Sequence, residues 1–435
     1  MSKKLISMNP KLDFWSRFPQ QISSEDFQNI CIFPTRAISE DTPLEFKIPG
    51  STDYIDLNTI KIYTRVKIVK EDGTDMEEVD DNSVCFLNNA SSSMWNNIEV
   101  KLSGCKIGSN TINYPLKSFV DILFQTQENA KNKLESLGWD PDINNNSEIN
   151  FTNQNKFNPH SSFFRRAQKS NRSATIEWLS KPNIDFFNQS KDLLSQVDLE
   201  ITCWPQRNDF LLIQRLETNY KYIIEEAYII VKKIKMYPDL ILSHEKSLRI
   251  APAIYEFEQT AMKIDQISAN QRTFTRDNIF NGFIPSKILI FMVRSNGYCG
   301  LKNTNALYLE HNNITSVKIT KDGKEINQDI KIDINNQKLR VYETLLDFCD
   351  RSNSLEDGLI FKPSDLSRGL FLMGFDLSSD KDDKLVIPEL KKGNISIKIN
   401  FQNPLPHANE LIIYAFFPTK IEITSSRNVI FPFIY

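Results

Sequence analysis

A run of alternating apolar and polar residues that leads into a glycine turn occurs twice in this 435-residue chain. Residues 98–107 alternate on both sides of a Ser-Gly turn at Gly104, and residues 317–326 alternate around an Asp-Gly turn at Gly323. Alternation with a period of two is typical of a half-buried strand, and glycine tolerates the positive φ of a tight hairpin turn. The sequence therefore predicts two similar β-hairpins, about half a chain length apart.

Further alternating segments flank both hairpins. Residues 60–68 predict a long strand before the first hairpin, and we take residues 227–236 as its counterpart in the second half. Residues 197–203 and 395–401 predict a closing strand for each half. These segments indicate an all-β chain in which strand, hairpin and strand follow one another twice. Chance similarity between unrelated strands is the alternative, because the two halves share few identical residues.

The length allows two domains of about 200 residues, a usual size for β-sandwiches. We divide the chain into an N-terminal arm over residues 1–44, a first β domain over 45–207, a second over 208–424 and an apolar tail over 425–435. The arm is predicted because its aromatic residues are mixed with proline and serine and follow no period.

Two helices and one deeply buried strand are predicted inside these domains. Residues 114–137 place apolar side chains at helical spacing after Pro115, which suits a first turn. Residues 238–248 show the same features after Pro238. The apolar run at 288–293 is typical of a strand that is buried on both faces.

The composition offers little that indicates catalysis or cofactor binding. The formal charge of −3 argues against packaging of nucleic acid as a main task and against sequence-specific nucleic acid binding. The six cysteines are scattered without metal-ligand spacing, and the four histidines accompany no recognisable nucleophile motif. We therefore predict no enzyme, no cofactor and no metal. No stretch reaches the ~20 apolar residues of a transmembrane segment, so none is predicted.

One local cluster of positive charge lies at residues 163–172. Its members are Arg165, Arg166, Lys169 and Arg172. Such a cluster can contact phosphates or the acidic face of a partner, which makes these residues a candidate interface. The alternative is a solvated surface, which we favour because four basic residues in ten carry no further binding motif.

The sequence resembles the double jelly-roll major capsid proteins of Polinton and Maverick elements and of adintoviruses. The resemblance depends on the order and spacing of strand-like segments along about residues 50–430. These segments are residues 56–72, 97–104, 111–115, 165–166, 185–187, 193–201, 277–282, 285, 313–323, 340–346, 369–377, 393–401 and 411–416.

This resemblance implies a fold of two consecutive eight-stranded jelly rolls with short helices in the excursions between strands. It also implies a structural role, in which a homotrimer forms a pseudo-hexagonal capsomer and capsomers tile an icosahedral viral shell. The implied partners are further copies of the chain, in capsomer-to-capsomer contacts, and minor or penton capsid proteins. The implied location is the virion capsid, assembled inside the host cell.

The apolar tail provides a second candidate interface. It includes Phe431, Phe433, Ile434 and Tyr435. A tail of this kind is either tucked against its own sandwich or docked on a neighbouring capsomer or minor capsid protein, and the sequence does not separate these interpretations.

Two other functions remain open at this stage. A carbohydrate-binding or adhesion module shares the sandwich fold, and exposed aromatics such as Trp95 or Trp139 in one concave site would favour it. A minor vertex capsid protein is the closer alternative, although such a protein usually needs only one roll.

Overall fold

The computed structural model describes residues 21–40, 42–108, 113–126, 130–140, 142, 147–152, 156–326, 330–334, 336–352, 358–378 and 389–432. The helices are α1 (Ala90–Ser93), α2 (Tyr114–Gln125), α3 (Lys131–Glu135), α4 (Ser162–Ser170), α5 (Asn208–Leu211), α6 (Pro238–Leu248), α7 (Ser295–Tyr298) and α8 (Lys338–Phe348).

The strands of the first half are β1 (Ser24–Ile32), β2 (Leu44–Ile48), β3 (Tyr54–Lys70), β4 (Cys85–Phe86), β5 (Trp95–Leu102), β6 (Cys105–Ile107), β7 (Ile176–Ser180), β8 (Leu199–Pro205), β9 (Leu212–Ile213) and β10 (Tyr220–Met236). Those of the second half are β11 (Ala253–Ile267), β12 (Thr273–Arg276), β13 (Phe283–Ile284), β14 (Lys287–Arg294), β15 (Ile314–Lys321), β16 (Lys324–Glu325), β17 (Ile330–Lys331), β18 (Leu372–Asp376), β19 (Lys391–Lys392), β20 (Ile395–Phe401), β21 (Asn409–Ile423) and β22 (Val429–Ile430).

Each half forms a pair of antiparallel sheets whose four main strands have the same connectivity, and in the second half the short strands β22 and β17 each add a fifth strand to one sheet. In the first half the sheet orders are β1-β10-β3-β7 and β2-β8-β5-β6. In the second half they are β11-β21-β14-β18 and β12-β20-β15-β16. When the eight main strands of either half are counted in chain order, both halves read 1-8-3-6 and 2-7-4-5. Two such sheets packed face to face make a jelly roll, so the predicted fold class of two consecutive eight-stranded jelly rolls is confirmed.

The predicted division at residues 207 and 208 is wrong, because it separates strand β10 from its sheet. β10 lies in the centre of the first roll, hydrogen-bonded to β3 on one side and β1 on the other. Residues 227–236 are therefore not the opening strand of the second roll, which begins at β11. The N-terminal arm predicted over residues 1–44 is also too long, since Ser24–Ile32 is the first strand of the first roll.

The local predictions agree with the structure more closely. Both hairpins form, and each turn has two consecutive residues with positive φ, Ser103 and Gly104 in the first roll and Asp322 and Gly323 in the second. This is the type I′ geometry that suits the twist of a hairpin. The helix at 238–248 and the buried strand within 287–294 are confirmed. The helix predicted over 114–137 is wrong in length, because α2 ends at Gln125 and Thr126 has extended backbone.

A continuous apolar core runs through both rolls. Inward-facing side chains of the paired sheets fill each roll, and the cores meet where the first roll packs against β11 and β21. The six cysteines are free thiols, and two of them, Cys31 and Cys299, are exposed. Burial raises the pKa of the Cys85 thiol to about 12, which keeps it protonated.

Candidate assembly surfaces

The junction between the two rolls is built around a buried ion cluster. Lys117 of α2 donates to Asp121 Oδ2 at 2.7 Å and to Asp185 Oδ1 at 2.8 Å. The hydroxyl of Tyr414, on β21 of the second roll, donates to the other oxygen of Asp121 at 2.7 Å. Asp185 accepts two further bonds, both 2.8 Å, from the backbone and the hydroxyl of Thr260 on β11. Each carboxylate therefore links the first roll to the second.

Burial and neighbouring charges shift the pKa values of this cluster in opposite directions. Burial alone would lower the pKa of Lys117, but Asp121 and Asp185 raise it well above its ordinary value, so the ammonium stays charged. Burial raises the pKa of Asp121 despite the neighbouring ammonium. A buried ion pair with its remaining hydrogen bonds satisfied is costly to break, because removal of one partner leaves an uncompensated charge. The cluster therefore holds the two rolls in one relative position.

Other contacts fix the rolls at both ends of this junction. Near the chain terminus, the buried Arg427 donates to the Ser195 carbonyl at 2.8 Å and pairs with Glu245 of α6. At the opposite end, Arg294 of the second roll pairs with Glu148 of the first at 2.5 Å. The rolls consequently form a single packed unit.

The junction and helix α8 together cover much of one face of the second roll, whereas Glu256 and Lys420 on the same face are exposed. Tyr414 and Leu289 are opposite each other on the outer face of the β11-β21-β14-β18 sheet, and both are buried. α2 and the 3-10 turn Asp185–Asn188 cover β21 and β11, while α8 covers β18 and brings Phe348 against Phe416 with ring centroids 5.6 Å apart.

The same face of the first roll is open to solvent in the described part of the chain. On the outer side of the β1-β10-β3-β7 sheet, Tyr63 and Tyr228 stack with centroids 4.5 Å apart, and Phe33 lies 5.6 Å from Tyr228. Phe33 is 61% exposed, and Cys31 is exposed opposite Ile230. We call this surface, carrying Cys31, Phe33, Tyr63, Tyr228 and Ile230, the open face.

Charged pairs border the open face. Arg65 lies 3.3 Å from both Glu225 and Glu226, all on β3 and β10 beside the tyrosines. An apolar, aromatic centre with a charged rim is the usual composition of a protein interface. Sequence reasoning missed this surface, although the tyrosines at positions 63 and 228 occupy the polar side of two alternating strands.

The predicted basic cluster lies on α4 and the turn that follows it, and all four cations have acidic partners within the chain. Arg165 forms two bonds with Asp140, of 2.9 and 2.6 Å. Arg166 is buried and pairs with Asp142 at 2.6 Å. The remaining pairs, Lys169 with Glu135 at 3.1 Å and Arg172 with Asp81 at 3.4 Å, are surface contacts. The interface role of these residues stays a prediction.

Residues 429–431 of the apolar tail pack against their own second roll. β22 pairs with the end of β21, and Phe431 stacks on Phe257 with ring centroids 6.5 Å apart. Phe433, Ile434 and Tyr435 lie outside the described residues. The role of the tail in binding a neighbour stays a prediction.

The tryptophans considered for sugar binding do not form a concave exposed site. Trp95 is buried in the core, and Trp139 is half-buried, with its ring stacked on Phe119 at a centroid distance of 5.2 Å. A cleft of about 630 Å³ lies instead beside Trp204. Two polar side chains that line this cleft already have partners within the chain, because Glu40 pairs with Lys221 and Asn208 accepts a hydrogen bond from the Tyr222 amide.

The described ranges contain no group of three His, Cys, Asp or Glu residues placed to hold a metal ion. No helix in those ranges has the length and hydropathy needed to cross a membrane.

No family model matches the chain. A curated relative, the uncharacterized protein F54H12.2 of Caenorhabditis elegans, is 20% identical over 426 residues, covering 91% of this chain and 94% of that protein.

Solved structures of viral major capsid proteins are similar over nearly the whole chain. A Sputnik virophage chain superposes with a TM-score of 0.64 at 13% identity, covering 98% of this chain and 92% of that one. PBCV-1 VP54 gives 0.60 at 11% identity, with 97% and 100% covered. The mavirus major capsid protein gives 0.55 at 10% identity, with 99% and 95% covered. The chain therefore has the double jelly-roll fold that these viral major capsid proteins share.

Proposed function

We propose that this chain is a structural major capsid protein, of which three copies form a pseudo-hexagonal capsomer that tiles an icosahedral shell. The observation that supports this most strongly is the length of the structural match, which includes both rolls and the connection between them in several viral major capsid proteins. A protein with only a sandwich domain in common would match one roll.

The junction between the rolls also supports this role. The buried cluster around Lys117 and the clamps at Arg427 and Arg294 hold the rolls rigidly side by side. A trimer of such subunits presents six similar rolls, which allows one protein to occupy near-hexagonal positions in a shell. A flexible link between the rolls would not define such a shape.

The proposed partners and location follow from this role. The chain would bind itself, first as a homotrimer and then between capsomers, and it would contact minor or penton capsid proteins. Its location would be the virion capsid, with assembly inside the host cell. It would act as a structural protein without catalysis, and its kinship with Polinton elements and adintoviruses is part of the proposal.

The alternatives have less support. A minor vertex protein usually needs one roll, and this chain has two with matched connectivity. A sugar-binding module needs an exposed aromatic platform, which Trp95 does not provide because it is buried.

Native mass and negative-stain electron microscopy of the purified chain test the proposal. We expect a species of three subunits with a hexagonal outline. A monomer at all salt and protein concentrations would contradict the capsomer function and move a ligand-binding role to first place.

A further inference from the structure

A cleft of about 510 Å³ lies at the end of the molecule where the first strand of each roll begins. We call it the linker cleft, because helix α6, in the segment that links the two rolls, forms one of its walls. The other walls come from the first roll and from the start of β11. Its apolar residues include Leu194, Met236, Leu248, Pro252, Ala253 and Ile254. The linker cleft is therefore an apolar recess that touches both rolls and the segment between them.

The polar side chains of the linker cleft are largely bonded within the chain. Lys191 donates to a backbone carbonyl of β11 at 2.8 Å, and the Tyr54 hydroxyl lies 2.8 Å from a ring nitrogen of the α6 histidine. Asp192 differs, because burial and the neighbouring Asp56 raise the pKa of its carboxyl group against the opposing effect of Lys232. The linker cleft therefore favours an occupant that is mainly apolar and carries positive charge.

The described chain begins beside this cleft. Ser24, the first residue of β1, lies opposite Met236, which lines the cleft, and the Ser23 carbonyl accepts a hydrogen bond from the Tyr237 amide at 3.2 Å. Residues 1–20, the first part of the predicted N-terminal arm, lie outside the described residues. They join the described chain within a few residues of the cleft.

The composition of residues 1–20 matches the cleft. Phe14, Trp15 and Phe18 are close in sequence to Gln21, and the segment contains four basic residues and one acidic residue. An extended chain covers up to about 3.5 Å per residue, so Trp15 can lie about 20 Å from Gln21. The eleven residues of α6 span about 16 Å. The aromatic side chains can therefore reach the cleft along its whole α6 wall.

We propose that the linker cleft is the docking site of the chain's own N-terminal segment, with Phe14, Trp15 and Phe18 packed against its apolar walls. Aromatic side chains bury large areas, and the positive charge of the segment complements Asp192. Docked there, the segment contacts both rolls and adds to the junction that the buried ion cluster holds. This inference goes beyond the proposed function, since it concerns one subunit and needs no second copy.

The apolar tail is the other segment of this chain that could fill the cleft. β22 pairs with β21 on the side away from β11, whose first residues line the cleft. Phe431 already packs on Phe257, and three residues of the tail, 433–435, lie outside the described part. Residues 1–20 are the longer segment and join the chain beside a residue of the cleft wall, so we assign the cleft to them.

Trypsin measures the docking in the full chain, because Arg17 is a native cleavage site within the segment. A docked segment must detach before a protease can bind it, so we expect slow cleavage after Arg17 in the wild type. Ala251→Glu places a charge at an exposed position of the cleft, and Trp15→Ser removes an aromatic side chain from the segment. Each should accelerate this cleavage at least about tenfold, as measured by intact mass spectrometry.

Leu242→Glu is the matched control for the cleft variant. Leu242 is 59% exposed on α6 and lies outside the cleft, so the cleavage rate should stay at the wild-type value. Circular dichroism should be unchanged in all three variants, because no substitution removes a buried side chain of the described core. Equal cleavage rates after Arg17 in the wild type and in Ala251→Glu would overturn the docking, as would equal acceleration by Leu242→Glu.

Dilution and two truncated proteins identify the occupant. Protection by the chain's own cleft does not depend on protein concentration, and protection that is lost on dilution would assign the segment to another copy and overturn the proposal. Removal of residues 1–20 should raise the fluorescence of the apolar dye ANS at least about twofold, whereas removal of residues 433–435 should not. The reverse pattern would make the tail the occupant.

These outcomes are independent of the proposed function. A monomeric chain whose Arg17 site is protected would contradict the capsomer and support the docked segment. A trimer whose Arg17 site is cut equally fast in the wild type and in Ala251→Glu would support the capsomer and overturn the docked segment.

Discussion

At the scale of single residues, the position of Lys117 is the feature that sequence alone does not reveal. Its nearest charged partner, Asp121, is four positions along the same helix, where Lys and Asp usually form an exposed pair. Here the helix is buried from Tyr114 to Leu123, and both charges are enclosed. The available signal was a Lys-Asp pair within an otherwise apolar helix. The partners Asp185 and Tyr414 could not be identified, because only the folded chain brings them close.

Lys117→Met should destabilise the protein strongly. It removes the ammonium and leaves the carboxylates of Asp121 and Asp185 buried without a cation, which costs about 3–5 kcal/mol. The urea midpoint of the monomer measures this change. The matched control is Lys47→Met, because Lys47 forms an exposed pair with Glu200 at 3.6 Å and its loss should cost no more than about 0.5 kcal/mol. Equal midpoints for the two variants would contradict the role of Lys117 in the junction.

At the scale of secondary structure, the sequence predicts which segments form strands, but it does not predict which strands pair with one another. Residues 227–236 alternate as clearly as any strand, so their identification as a strand was correct. Alternation does not specify the neighbouring strand, however, and β10 pairs with β3, which lies far earlier in the chain, with Tyr220 opposite Lys70. The hairpins were predictable in full because both strands and the turn lie within ten residues.

A pair of fragments tests the corrected boundary. Residues 1–248 include all eight main strands of the first roll, whereas residues 1–207 lack β10, which lies between β1 and β3. We expect cooperative unfolding and slow amide exchange only for the longer fragment, because loss of this central strand leaves β1 without a partner and β3 paired on one side only. A shorter fragment that folds as well as the longer one would restore the boundary expected from the sequence.

The docking of α8 depends on a glycine beneath it. A Cβ atom at Gly374 of β18 would lie 2.7 Å from Phe348 Cβ, closer than the two side chains can approach. Gly374→Ala should therefore displace α8 and cost about 1–3 kcal/mol, the usual range for overpacking. Gly358→Ala is the control, since a Cβ there meets no atom within 4 Å. Thermal unfolding and limited proteolysis of residues 326–371 measure both effects, and similar results for both variants would contradict the tight contact.

At the scale of the whole molecule, the tail has two separable parts. Arg427 clamps the two rolls, whereas residues 429–435 begin with the β22 pairing and continue past Phe431. We propose that this distal part contributes to contacts between capsomers or with minor capsid proteins. The distinction between clamp and distal part determines where the chain should be cut.

Truncation after Asn428 should leave the fold and the trimer intact and reduce shell assembly. Truncation after Ser426 should in addition lower the stability of the subunit by about 1–3 kcal/mol, because the Ser195 carbonyl and Glu245 lose the guanidinium between them. Light scattering under assembly conditions and urea unfolding measure the two effects. Unchanged assembly of the longer truncated protein would contradict the role of the distal tail.

The way each roll begins and ends has a consequence for the origin of the chain. Ser24 lies opposite Met236 in the first roll, and Ala253 lies opposite Ile423 in the second. In both rolls the last strand therefore ends beside the start of the first strand. A gene for one such roll can be copied in tandem with only a short connecting segment, and neither copy has to change its topology to accommodate the other. The segment between β10 and β11, which contains α6, is short enough to be that connection.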